Sequence, residues 1–554
     1  MKKLFLLLVF AFVSTLSFAQ LEDALVFLEP KDPSVVSAAL ADPATILTTA
    51  AINRKLAQGI AIDERDVPLN EVQKAQIEAA TGITVLAKSK WLNAVYVRGT
   101  LTNINNLLNL SFVSDIEYAD KSMNRPGPRE FERQFRSLQN KIDQEEQLRV
   151  VYNYGNAENQ TEMIGVDVLH QEDFTGQNIA VAFMDNGYPN VLYNPAYAHM
   201  RDEGRLLGYY DFVARVESPN GTGGHGALTL SDAAAVVTNE FVGTAPNASY
   251  YLFITEDDSE ESPAEEAYWV EALERSDSLG VYVSNTSLGY QDYDKPAYTH
   301  QYSDLDGETT IAARGANIAF DKGMITVTSA GNDGSGFGYV GTPADAPGSF
   351  TVGAVDANEN YVYFSSYGPN SAGLVKPDVM AQGANTAVVD RFGETTDYWG
   401  DPLTSNGTSF SSPIIAGAVA SLWSAVPTLK NDVVMQAIRE SAHLYNNPTD
   451  LMGYGIPNFG EALSTLLLKV NEQELQENQF ALYPNPVTTE VNISFPKTAE
   501  NAVFVLYNVL GEKILQTNIA ASNNRIDLSN LTSGMYIASI TSNNKTTSYK
   551  IIKK

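Results

Sequence analysis

The sequence predicts an α/β protein: a central domain with a mainly parallel sheet flanked by helices, a small α+β unit before it and a small all-β sandwich after it. Three observations lead there. From about 151 to 466, short apolar runs alternate with helix-length stretches, the pattern of strand–helix–strand units. A breaker cluster, Asn124-Arg125-Pro126-Gly127-Pro128-Arg129, cuts that region off from the preceding one. From Phe480 onward, short strands alternate with Asn, Ser and Gly turns.

The length of 554 residues suits about three domains at ~150 residues each. Residues 1–19 combine Lys2-Lys3, an apolar core and Ser17-Phe18-Ala19, which predicts a signal peptide cut after Ala19. The apolar run is too short and too early for a stable membrane span.

Residues 20–122 form the first unit, with a strand expected over 24–28, a helix over 44–59 and a strand over 89–97. It contains no histidine and no dense polar cluster, which suggests a pro-segment. Residues 123–150 are a charged linker, the place expected for a maturation cut. In the central domain, buried strands are expected over 177–184, 249–255, 281–287, 323–328 and 350–355. Residues 467–479 are expected to be a second, acidic linker, and 480–554 the all-β module.

Composition narrows the chemistry. With 66 acidic against 36 basic residues, the net charge is −30, which argues against nucleic acid and anionic membranes as partners. There is no cysteine, so disulfides, thiolate metal sites and a cysteine nucleophile are excluded. Only 5 histidines are present, so each can be weighed.

The stretch Asn406-Gly407-Thr408-Ser409-Phe410-Ser411-Ser412-Pro413 precedes an apolar run that reads as a buried helix, with Pro413 expected near its first turn. Ser409 at the mouth of that helix is either an N-cap or a nucleophile beside orphan N–H groups. Asp185 ends a buried strand, where a carboxylate needs a partner; an Asx turn ahead of Asn186-Gly187 is the alternative. His225 lies between glycines at a helix start, open enough for a general base, though a structural role is equally open. The settings of His170, His199, His300 and His443 suggest surface or core packing. Asn332 follows a strand and Ala330-Gly331, as a cleft amide or a turn residue.

Acid, base and nucleophile occur in the chain order Asp185, His225, Ser409, the order of subtilisin. The domain resembles the subtilases, the subtilisin-like serine endopeptidases. Val181-Ala182-Phe183-Met184-Asp185-Asn186-Gly187, Gly224-His225-Gly226, Asn285-Thr286-Ser287-Leu288-Gly289, Ala330-Gly331-Asn332 and the 406–413 stretch carry the resemblance. It implies Ser409 as nucleophile, His225 as base, Asp185 as its orienting acid and Asn332 as oxyanion donor. Ser287-Leu288-Gly289 resembles the edge that pairs with an extended substrate. The sequence departs from the family pattern at Asn186, at Ala227-Leu228 and at Phe410-Ser411.

The C-terminal module resembles type A sorting domains of the type IX secretion system, through Leu482-Tyr483-Pro484-Asn485-Pro486, Tyr507-Asn508-Val509-Leu510-Gly511 and Ser533-Gly534-Met535-Tyr536. Together the resemblances imply a secreted or outer-membrane surface protease made as a zymogen. Its partners would be protein or peptide substrates and the type IX machinery. A non-catalytic binding protein on the same scaffold is the competing reading. Calcium is common in the family; Asp304-Leu305-Asp306-Gly307 and Glu256-Asp257-Asp258 are the loops able to ligate it, and no metal site is assigned.

Overall fold

The structure is a computed structural model that describes residues 20–124, 152–477, 480–496, 499–543 and 545–554. The region expected as a signal peptide and most of the charged linker, with the cut expected there, lie outside the described residues. The chain divides into two compact units, the second being Ser464–Lys554.

In the first unit, the pro-segment is a four-stranded antiparallel sheet in the order β2-β3-β1-β4. The strands are β1 (Leu21–Leu28), β2 (Ile83–Ser89), β3 (Ala94–Thr100) and β4 (Val113–Tyr118). Helix α1 (Thr49–Gln58) starts at Thr48, whose hydroxyl accepts the Ala51 N–H, and stops at Gly59 at φ 63. The single strand expected over 89–97 is instead a hairpin: β2 ends at Ser89, and Asn93 turns the chain at φ 51. The turn is held from outside the segment. The Glu274 carboxylate accepts Ser89 Oγ at 2.5 Å and the N–H groups of Lys90 and Trp91 at 2.9 and 3.0 Å.

The central sheet is seven-stranded and wholly parallel. Its strands are β5 (Ala180–Asp185), β6 (Leu206–Asp211), β7 (Ser249–Ile254), β8 (Val283–Thr286), β9 (Ile325–Ser329), β10 (Ser349–Val355) and β11 (Val379–Gln382), in the spatial order 11-10-9-8-5-7-6. Four helices matter for the site: α2 (His225–Ala234), α3 (Ala264–Leu279), α4 (Ile311–Asp321) and α5 (Thr408–Ala425). β6 and β11 escaped the sequence reading. β6 is a half-exposed edge strand, and β11 is only four residues long.

Helices α3 and α4 carry the pro-segment sheet. Leu25, Trp91, Leu92 and Tyr96 share one buried cluster with Trp269, Val270, Leu273 and Ala316. The apolar run after Ser409 is helical, and every α5 residue except Ser424 is buried.

The stretch expected as a second linker is helical as far as Glu477, within α6 (Phe459–Glu477). The C-terminal module is a pair of antiparallel sheets, three- and four-stranded. Val491, Ile493, Phe504, Leu506, Ala538, Ile540 and Ile551 fill its core.

Candidate active site

Three strand ends and two helix starts converge at the carboxyl edge of the parallel sheet, where α/β proteins bind ligands. Asp185 is the last residue of β5 and is fully buried. Its Oδ1 accepts the Asn186 N–H at 2.8 Å. Both of its oxygens meet His225 Nδ1, at 2.8 and 3.0 Å. Its Oδ2 also accepts Thr229 Oγ1 at 3.1 Å.

His225 is the first residue of α2, and its N–H donates to Asn186 Oδ1 at 3.1 Å. Gly226 permits the close approach of α2 to β5. A Cβ there would stand 2.8 Å from the Asp185 Cβ and 2.7 Å from the Gly187 carbonyl oxygen. Burial disfavours the charged ring, but the Asp185 charge and hydrogen bond, with Glu256 and Asp258 beyond, outweigh it and raise the His225 pKa above its ordinary 6.5.

Ser409 is the second residue of α5 and is 8% exposed. The backbone enters the helix through Gly407 at φ 143, which a side chain would strain. Pro413 lies inside the helix, not in its first turn, because α5 already begins at Thr408. The consequence falls on Ser409. Pro413 has no N–H, so the Ser409 carbonyl loses its helical partner four residues on. Ser287 Oγ takes that place at 2.8 Å, and Ser409 Oγ donates in return to the Ser287 carbonyl at 2.9 Å. Asn285 Oδ1 accepts Ser412 Oγ at 2.7 Å, so the β8 end grips the α5 start twice.

Asn332 follows β9. Its Oδ1 accepts the Thr408 N–H at 2.9 Å and Thr408 Oγ1 at 3.1 Å, which turns its Nδ2 donors away from α5's first N–H. The His225 ring packs edge-on against Phe410, the residue after Ser409, at a centroid distance of 5.8 Å. Ser287, Leu288 and Gly289 run just past β8; Ser287 is buried and Gly289 is exposed.

The structure thus gathers the ends of β5, β8 and β9 and the starts of α2 and α5. Thr229 was missed by sequence reasoning. The available signal is its position one helical turn after His225, on the same face. Two of the departures from the family pattern, Asn186 and Phe410, both touch His225. The other four histidines bond elsewhere: His170 to Tyr154 and Thr244, His199 to Pro246, His300 to Glu266, His443 to Ile456.

In the loops able to ligate calcium, the carboxylates have partners of their own. Asp304 pairs with Lys121 at 2.7 Å, and Asp306 caps the N–H groups of Glu308 and Thr309. Asp257 caps Ser259 and Asp258 accepts from Asn186. Among the described residues, no group of three such side chains is placed to hold a metal ion.

A buried carboxylate on an imidazole, whose ring packs on the residue after a serine at a helix start, above a parallel sheet, fits a serine hydrolase. The subtilase family model (Peptidase S8) matches residues 176–455, a Peptidase S8 propeptide model of Bacteroidota matches 23–136, and a secretion-system C-terminal sorting model matches 481–554. The chain belongs to the subtilase family and is a serine-type endopeptidase. Subtilisin DY of Bacillus licheniformis is 30% identical over 298 residues, covering 53% of this chain and 93% of that protein. Serine protease AprX of Bacillus subtilis is 26% identical over 314 residues, covering 52% of this chain and 67% of its own. Among solved structures, MycP1 from Mycobacterium smegmatis aligns at 21% identity with a TM-score of 0.43, covering 57% of this chain and 85% of that one. The sorting module makes the chain a secreted or cell-surface protein exported by the type IX machinery. Among the described residues, no helix is long and apolar enough to cross a membrane.

Proposed function

We propose that Ser409 attacks the carbonyl carbon of a substrate peptide bond and forms an acyl-enzyme. His225 takes the Ser409 proton at Nε2, because Nδ1 is held by Asp185. It then returns that proton to the leaving amine. A water follows the same route in reverse, losing its proton to His225 and releasing the acid and Ser409. Asp185 fixes the tautomer and compensates the charge that forms on the ring. Asn332 Nδ2 and the Ser409 N–H would hold the oxyanion. Removing such a donor cost about 2.7–4 kcal/mol in a subtilisin.

One observation carries this reading: a fully buried carboxylate with both oxygens on His225 Nδ1, at 2.8 and 3.0 Å. Ser409 Oγ rests on the Ser287 carbonyl at 2.9 Å, so a rotation about its χ1 angle precedes attack. Substrate laid along Ser287-Leu288-Gly289 would compete for that edge and favour the rotation. The pro-segment, clamped to α3 and α4, acts on this reading as an inhibitor until the chain is cut between 123 and 150.

The test is labelling of the processed protein by an active-site serine probe. Ser409→Ala should abolish labelling and lower kcat by about a millionfold, the size seen for the equivalent loss in a subtilisin. Ser409-independent labelling sinks the assignment. Because the His225 pKa lies above its ordinary 6.5 and the base must be neutral, kcat/KM should rise with pH through an inflection above 6.5.

A further inference from the structure

The chain contains three Asn-Gly pairs, at 186–187, 220–221 and 406–407. An asparagine side chain can fold back on the main chain that follows it, and glycine puts no side chain in the way. The next backbone nitrogen can then displace the side-chain amide, so the fold decides how long each pair survives. Two of the pairs are held. Asn186 accepts the His225 N–H at 3.1 Å and donates to Asp258 at 3.1 Å. Asn406 accepts the Asn385 N–H at 2.9 Å, and the Gly407 N–H donates to the Gly383 carbonyl at 2.8 Å. Asn220 differs. It is exposed, in the irregular stretch between β6 and α2. Among the described residues, neither its side-chain amide nor the Gly221 N–H has a hydrogen-bond partner.

On either side of that pair, the stretch is fastened to the residues that follow Asp185. The Pro219 carbonyl accepts the Tyr188 N–H at 2.8 Å, and the Gly223 N–H donates to the Asn186 carbonyl at 3.3 Å. The His225 N–H then reaches the Asn186 side chain. Between these fastenings there is no spare room. A Cβ at Gly221 would stand 2.0 Å from the Asn186 carbonyl oxygen, and one at Gly223 would stand 2.0 Å from Asn186 Nδ2. Any length added to the main chain at 220 has to be taken up by moving the segment off Asn186, and His225 begins two residues after the last fastening.

We propose that Asn220 and Gly221 form a site of spontaneous deamidation whose isoaspartate product displaces His225. The Gly221 nitrogen attacks Asn220 Cγ. The N–Cγ bond forms, the Cγ–Nδ2 bond breaks, and ammonia leaves with the proton of the Gly221 N–H. Water then opens the cyclic imide. Opening at Cγ gives aspartate on the original backbone. Opening at the main-chain carbonyl gives isoaspartate, in which the chain runs through Cβ and Cγ. Overall one water is consumed and one ammonia released, with no other reactant. The isoaspartate backbone is longer by one carbon–carbon bond, about 1.5 Å. A misplacement of about 1 Å passed on to a catalytic group costs about a hundredfold in rate. The aspartate product adds only an exposed charge, which salt screens.

Two measurements test the two halves. Full-length Ser409→Ala protein is aged at mildly alkaline pH, and isoaspartate is mapped by peptide mass spectrometry. Residue 220 should convert about tenfold or more faster than 186 and 406, the factor that one or two hydrogen bonds hold back. In denaturant the three rates should converge. Equal rates in the folded protein, or an Asn220 that stays intact, overturn the site. The second half rests on the catalytic assignment above. Processed protein should lose kcat/KM as isoaspartate accumulates, the modified fraction falling by about a hundredfold. Asn220→Gln, whose longer side chain closes the ring poorly, should start equal and outlast it. Asn220→Asp, with the charge on an ordinary backbone, should start at the unmodified kcat/KM. Full activity of protein carrying isoaspartate at 220, or an equal loss in Asn220→Asp, overturns the link to His225. If Ser409→Ala leaves hydrolysis intact, the catalytic assignment fails instead, and the mapping still decides the site.

Discussion

Helix α3 carries buried acids at both ends, and the two ends behave in opposite ways. Glu265 is in its first turn and Asp277 in its last, ~18 Å apart along the axis. The helix dipole alone favours the acid at the start and disfavours the one at the end. The structure reverses that order. Burial works against an ionised Asp277, but Lys55 and Arg54 outweigh it and hold the carboxyl down to about 2. Burial pushes Glu265 up to about 10, and its neighbours Glu256 and Glu261 push the same way. A terminus offers about half a charge; a buried cation in contact offers a whole one. The pro-segment supplies whole charges at one end of α3. At the other end, none of the ion pairs among the described residues includes Glu265.

The largest expected effect is therefore at the satisfied end. Asp277→Ala strands Arg54 and Lys55 in an interface where both are almost fully buried. Full-length Ser409→Ala zymogen carrying it should lose about 3–5 kcal/mol of unfolding free energy in denaturant titrations. A loss under about 1 kcal/mol would mean that Asp66, 3.4 Å from Lys55, suffices alone, and the contrast between the two ends would weaken.

Next comes Glu274, between the two ends. Burial pushes it up to about 7 from its ordinary 4.5, even with Lys90 and three donors opposing. The folded zymogen therefore holds that proton more tightly than the unfolded chain does. The stability it contributes is complete below pH 4.5 and is lost as pH rises through 7. Asp277 has the opposite sign: its contribution is present above its ordinary 3.8 and is lost as pH falls through about 2. Glu274→Gln should flatten the decline between pH 4.5 and 7 by at most about 3 kcal/mol. It should leave the acid limb untouched. Urea midpoints measured from pH 4 to 8 would show both.

These interface residues also mark where the sequence stops being legible. Five central strands, the buried α5 and the points 185, 225, 332 and 409 could be read from local pattern and motif order. Each depends on its own neighbours in the chain: an apolar run, a glycine pair, a serine ahead of a small-residue helix. The hairpin at 89–94 could not, because its turn is held by Glu274, some 180 residues away in sequence. The Ser287–Ser409 exchange, between residues 122 apart, was hidden for the same reason. A hydroxyl gains its meaning from what tertiary packing sets opposite it, and Pro413 looked like a helix starter until the helix was seen to begin earlier.

The smallest expected effect is at the unsatisfied end, and it tests the contrast most sharply. With its pKa pushed up to about 10, Glu265 is already neutral at pH 7. Glutamine has nearly the same shape, and its amide oxygen can keep the bond from the Asp257 N–H, 2.9 Å in the native protein. No cation is stranded. Glu265→Gln should change the unfolding free energy of the Ser409→Ala zymogen by less than about 1 kcal/mol, and relief of repulsion can make the change favourable. A penalty as large as that of Asp277→Ala would require a resident positive partner for Glu265. The two ends of α3 would then be alike, each acid held by a cation.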